Sequence, residues 1–228
     1  MKIKEVKARK IFDSNGRDAI EVEVISDVNT ARASIGYGTS IGGYEVMAYP
    51  DDIKKLINLV NNVFNKDLKN IQVSNFEDLE KVERYLSGHD YSEKLEKIGG
   101  NVIVALELAM LKSCSTEPLY KFLNDKKVKM PMPLGNCIGG GSHSLNIKNP
   151  DFQEYLILPR VKKFDEAAEI NIEVYNKVKE ELKKQDKNFN GTRNIEGAWT
   201  TVLSDAEILP LLRKVVEKIS KERDAEIR

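Results

Sequence analysis

An α+β domain followed by the opening of an α/β domain is the fold class the sequence predicts, and three observations predict it. Apolar and charged residues alternate with period two near the start, a helical period takes over across 51–124, and beyond Met130-Pro131-Met132-Pro133 the order becomes strand, strand, helix, helix. The expected domains are therefore 1–129 and 130–228, the second of them incomplete as written.

The first strand ends in Ile11-Phe12, and Asp13-Ser14-Asn15-Gly16 supplies Asn-Gly turn chemistry before the alternating Ile20-Glu21-Val22-Glu23-Val24. A third strand, Ala31-Arg32-Ala33-Ser34-Ile35, completes a β-meander. It runs into Gly36-Tyr37-Gly38-Thr39-Ser40-Ile41-Gly42-Gly43, whose four glycines predict a loop able to move or to approach a ligand closely. Three helical stripes follow: Ile53, Leu56, Ile57, Val60 and Phe64; Leu79, Val82 and Leu86; then Val102, Leu106, Ala109 and Met110. The pattern Ser74-Asn75-Phe76-Glu77 predicts a capping box before the second stripe. Thr116-Glu117-Pro118 predicts a cap and an early proline ahead of a short fourth helix.

In the second domain, Leu134 to Ile138 reads as a buried strand, Gly139-Gly140-Gly141-Ser142-His143 as a loop and Phe152 to Leu158 as a second strand. Two long helices are expected over 165–184, carrying Ala167, Ile170, Val174, Val178 and Leu182, and over 205–222, carrying Ile208, Leu212, Val215 and Ile219. Two strands bury too little for a core of their own, and their free edges are templates for further strands.

Composition excludes several function classes. The 36 basic residues balance the 36 acidic ones, so no global field draws the chain to nucleic acid or an anionic membrane. No apolar run reaches the roughly 20 residues of a membrane span, and Met1-Lys2-Ile3-Lys4 opens into a strand pattern, so a cytoplasmic protein is expected. Cys114 and Cys137 lack CxxC spacing and are expected to be reduced and inert.

Four segments, in order, carry a family resemblance. Ala8-Arg9-Lys10-Ile11-Phe12-Asp13-Ser14-Asn15-Gly16 is similar to the A-R-x-I-x-D-S-R-G of enolases, and the glycine loop resembles their P-S-G-A-S-T-G. Gly140-Gly141-Ser142-His143 and Gln153-Glu154-Tyr155-Leu156-Ile157-Leu158-Pro159 resemble their G-G-S-H and Q-E-F-M-I-x-P. The resemblance covers essentially the whole chain. It implies a three-stranded meander with helices, then an incomplete enolase-type TIM barrel beginning ββαα.

The activity it implies is dehydration of 2-phosphoglycerate to phosphoenolpyruvate in glycolysis, with Mg²⁺ as cofactor. In that chemistry a lysine removes the C2 proton, metal ions stabilise the enolate, and a glutamate helps the C3 hydroxyl leave. Carried over, Ser40 matches the loop serine that reaches a metal, and His143 the histidine near the substrate phosphate. Glu154 and Glu196 match the two carboxylates near the leaving hydroxyl, with Glu154 also binding substrate and Glu196 in the general-acid position.

This sequence departs from the family's pattern in several places. V-G-D-E-G-G-F appears as Arg193-Asn194-Ile195-Glu196-Gly197-Ala198-Trp199, Asn15 replaces an arginine, Gly139 stands where the family has an asparagine, and Gly36, Tyr37 and Ile41 replace a proline, a serine and a threonine. The family's metal-binding aspartates and glutamate, its base lysine and its phosphate-binding arginine would follow Arg228. The 228 residues alone are therefore expected to be inactive.

Each residue also has a plainer reading. Ser40 reads as a solvated turn serine, His143 as a loop residue, Glu154 as an outward-facing or edge glutamate, Glu196 as a surface loop residue and Trp199 as packing. The Lys- and Glu-rich stretches 177–187 and 214–228 read as solvated helix faces. Three functions stay open: part of a glycolytic enolase completed by a complementary C-terminal half, a catalytically inactive enolase-like binding or assembly protein, and a different lyase or hydrolase using Glu154, Glu196 and His143. A homo-oligomer is expected from the resemblance.

Overall fold

The computed structural model of the chain describes residues 1–38, 40–124, 126–144 and 148–228; Thr39 of the glycine loop lies outside the described residues. Two compact units are present, Met1–Val128 and Lys129–Arg228.

In the first unit, β1 (Ile3–Phe12), β2 (Asp18–Ser26) and β3 (Thr30–Ser34) form an antiparallel meander in the order β1-β2-β3. The β1–β2 connection closes on Asp13, whose Oδ1 accepts the backbone N–H groups of Asn15 and Arg17, both at 2.9 Å. Gly16 takes φ +75°, a conformation that glycine adopts without a Cβ penalty. Alternation decides the faces: Ile20, Val22 and Val24 are fully buried, whereas Arg9, Glu21, Glu23 and Arg32 pair on the other side. Helix α4 (Gly100–Ser113) covers the apolar face with Val102, Ala105, Leu106, Ala109 and Met110.

The first helical stripe is not one regular α-helix. Helix α1 (Ile53–Asn58), capped by the Asp52 side chain on Lys54 N–H at 2.8 Å, widens into a π-helical stretch (Leu59–Phe64) and then α2 (Asn65–Asp67). Val60 and Phe64 remain fully buried. On the same stretch Asn61 meets Ala8 through both amide atoms, at 2.6 and 3.1 Å, and Asn65 Oδ1 accepts the Val6 N–H at 2.9 Å. These amides take the place of a neighbouring strand along β1.

Two local expectations fail. The Ser74–Glu77 capping box does not form: α3 (Leu79–Ser87) starts later, because Asp78 accepts the Ser74 N–H at 2.8 Å and Asn75 accepts the Asp78 N–H at 3.0 Å. Pro118 occupies the cap position of α5 (Leu119–Phe122), with no side-chain cap from Thr116.

In the second unit, β4 (Gly135–Gly139) is central, with β5 (Glu154–Ile157) antiparallel on one side and β7 (Trp199–Thr200) parallel on the other. A second pair joins β6 (Pro159–Arg160) to β8 (Glu226–Ile227). The expected order of two strands and two helices thus omits β6, β7 and β8, each two residues long and too short to show a period. Helices α6 (Phe164–Gln185) and α7 (Asp205–Arg223) bury Ile170, Val174, Val178, Ile208, Val215 and Ile219 with Ile138 and Trp199. A reach-back bond from Glu207 to the Ser204 N–H, 2.8 Å, starts α7. No helix among the described residues is long and apolar enough to cross a membrane.

Candidate active site

Strand direction explains why distant residues converge in the second unit. Because β5 runs antiparallel to β4, its first residue, Glu154, lies opposite Gly139 at the end of β4; because β7 runs parallel, Thr200 lies there too. The turn entering β7 folds back on itself, Arg193 pairing with Trp199, and Asn194 packs on Gly139, which brings this turn beside the loop leaving β4 at one rim.

The first component is the loop after β4. A β-carbon on Gly140 would lie 2.5 Å from the Phe152 carbonyl oxygen and 2.6 Å from Pro150, so only glycine lets the approach to β5 pass this closely. Gly140 N–H donates to Gln153 O and Gly141 N–H to Pro150 O, both at 2.9 Å, and Gly141–His143 follows as one 3₁₀ turn. Asp205, in the first turn of α7, steadies the same approach. It accepts the N–H groups of Asp151 and Phe152, at 3.2 and 3.3 Å, and the Tyr155 hydroxyl.

The second component is the turn 194–197. Asn194 Oδ1 accepts the N–H of Glu196 at 3.1 Å and of Ala198 at 2.9 Å, while Gly197, at φ +84°, donates to Asn194 O at 3.0 Å. From α6, the Tyr175 hydroxyl donates to Gly197 O at 2.7 Å. The Tyr175 ring stacks on Trp199 with centroids 4.5 Å apart, and Trp199 Nε1–H donates back to Tyr175 O at 3.0 Å. Trp199 is buried packing, as its plainer reading has it.

These two components bring His143 and Glu196 together across 53 residues of sequence. His143 Nδ1 stands 2.5 Å from Glu196 Oε1, sharing a hydrogen bond whose proton sits on the ring or on the carboxyl group according to their protonation, and the side chains are only 13% and 28% exposed. The Gln153 amide lies 3.2 Å from the same nitrogen. A carboxyl group in contact with an imidazole can pass a proton to a group bound at the rim and be restored by the ring. Glu154 is exposed on β5 and takes a different partner, Asn136 Nδ2 at 3.3 Å.

Ser40 belongs to the first unit. It is exposed on a loop whose ends are tied down: Arg17 donates to Tyr37 O at 3.0 Å, Asn101 to Gly36 O at 3.0 Å, and Lys94 Nζ to Gly43 O and Glu45 O at 2.8 and 3.0 Å. Among the described residues, no group of three or more His, Cys, Asp or Glu side chains is placed to hold a metal ion. A single serine oxygen supplies one coordination position of the six that Mg²⁺ takes. The residues described here do not fit a Mg²⁺ cage.

The supporting residues Asn136, Tyr175 and Asn194 were not singled out in the sequence. Only Asn194 carries a local signal, an asparagine two residues before a turn glutamate, which is the spacing of an Asx turn. Tyr175 and Asn136 reach the rim through tertiary structure alone.

The sequence model described as the N-terminal domain of enolase matches residues 3–123, and that of the enolase C-terminal TIM barrel domain matches residues 127–228. Similar curated proteins include the enolase of Methanothermobacter thermautotrophicus, 32% identical over 99% of this chain and 55% of that protein. Others are the enolase of Picrophilus torridus, 33% identical over 96% and 55%, and that of Anaplasma marginale, 35% identical over 95% and 52%. The chain spans about half the length of the curated relatives it matches. With an N-terminal three-stranded meander followed by an unclosed part of a barrel domain, the chain belongs to the enolase family.

Proposed function

We propose that this chain supplies the N-terminal domain and the leaving-group side of an enolase site, which dehydrates 2-phosphoglycerate to phosphoenolpyruvate once further polypeptide completes the barrel. The observation that carries the reading is the 2.5 Å contact between His143 and Glu196, two family-motif residues that the fold seats on one rim. Glu196 gives its proton to the C3 hydroxyl, which departs as water, and His143 restores or holds that proton beside the substrate phosphate. Glu154 binds substrate and serves as the second carboxylate, and Ser40 approaches a metal from its loop. The base that takes the C2 proton, and the ligands that anchor Mg²⁺, come from the complementary C-terminal half. The completed protein acts in the cytoplasm as a homo-oligomer.

The test mixes the purified chain with the remaining barrel segment of a relative, 2-phosphoglycerate and Mg²⁺, and follows phosphoenolpyruvate by its ultraviolet absorbance. Activity is expected only in the mixture, and Glu196→Gln should reduce it by about 10²-fold or more. No gain on mixing, in a pair shown to associate by light scattering, overturns the proposal. That outcome supports the second reading, an inactive enolase-like binding or assembly protein.

A further inference from the structure

We propose that Asn194 is the positioning residue for Glu196, and that it works only because position 139 is glycine. The proposal deepens the acid role given above to Glu196 and rests on it. Asn194 is 7% exposed, and its two amide atoms have separate tasks. Oδ1 gathers the N–H groups of Glu196 and Ala198, fixing the backbone on which the Glu196 side chain stands. Nδ2 is buried with no hydrogen-bond partner and rests on the bare Cα of Gly139 in β4. A β-carbon built there would overlap Nδ2 and lie 2.8 Å from Asn194 Cγ. The contact is steric, and closed to solvent, so no ligand reaches that nitrogen.

The amide is delivered from the turn, where its oxygen serves the backbone of Glu196. A side chain at 139 and one at 194 exclude each other, so the two positions are coupled.

A double-mutant cycle on the 228-residue chain tests this. Gly139→Ala should lower the thermal midpoint, and most of that loss should disappear when Asn194→Gly is present, because the obstructing amide has gone. Asn194→Ala alone should raise amide hydrogen exchange at Glu196 and Ala198 at least tenfold and shift the His143 ring ¹⁵N signal at constant pH. Ile219→Val, a core change far along α7, should lower the midpoint and leave both signals in place. Equal losses from Gly139→Ala with and without Asn194, or unchanged exchange at the two amides in Asn194→Ala, overturn the proposal. The Glu196→Gln mixing experiment bears on the acid role alone, so failure of either idea is recognised separately.

Discussion

Glu107 on α4 faces Glu83 of α3 across a cavity of about 280 Å³ that is also lined by Leu86, Leu95 and Ile103. Its Oε1 is buried without a hydrogen-bond partner, and burial, with a smaller push from Glu83, raises its pKa from 4.5 to about 7. The folded chain thus keeps this proton to near neutrality, while the unfolded chain releases it near 4.5. Stability from this group is fully present below about pH 4.5 and is lost as pH rises through about 7. The displacement corresponds to at most about 3 kcal/mol, and because the side chain is half-buried, solvent screening reduces the expected effect to about 1–2 kcal/mol. Glu107→Gln carries no charge at any pH. It should match the parent near pH 4 and exceed it by that amount at pH 8. Hydrogen exchange of α4 amides reads the first unit, and fluorescence of Trp199, the only tryptophan, reads the second and should not respond. A pH-independent difference, or a parent more stable than the variant at pH 8, would refute the reasoning.

Three further outcomes are expected. Asp90, almost fully buried, is pushed up by burial but pulled further down, to about 2, by the Ser92 hydroxyl and the N–H groups of Lys97, Ile98 and Ser92. Its stabilisation is therefore present above about pH 4 and lost as pH falls through about 2; Asp90→Ala should cost about 2–4 kcal/mol at pH 7 by urea unfolding, with the deficit shrinking in acid. Phe64→Ala empties the centre of the first core and should cost about 3–5 kcal/mol, measured as a shift in urea midpoint at constant slope. The Cys137 thiol, raised by burial to about 12, should resist alkylation at pH 8 until the second unit opens, so labelling faster than Trp199 unfolding would contradict its burial.

Much of the first unit was legible in sequence because its signals are local. The alternation at 20–24 and the Asp-Ser-Asn-Gly turn fall where β1 and β2 meet, and the three apolar stripes are the buried helix faces. The capping box at 74–77 was misread because Asp78 competes for the Ser74 N–H, a choice between two nearby carboxylates that sequence leaves open. The π-helical widening after Asn58 has no period of its own and is stabilised by Asn61 and Asn65 meeting a strand some 55 residues earlier. In the second unit, β7 and β8 are two residues each, and pairing across the fold defines them. Motifs singled out Glu196 and His143, but their contact is made across 53 residues by tertiary structure, which no motif records.

The asparagine pair on β1 has a consequence for how copies of this chain meet. With Val6 and Ala8 already hydrogen-bonded to side chains, that rim has fewer free groups with which to recruit a foreign strand, so cross-β stacking through it is disfavoured. The sheet's flat surface offers a different kind of contact, because Arg9, Glu21, Glu23 and Arg32 stand there in two opposite signs. A contact of that kind loosens with added salt, whereas one built on strand recruitment would not.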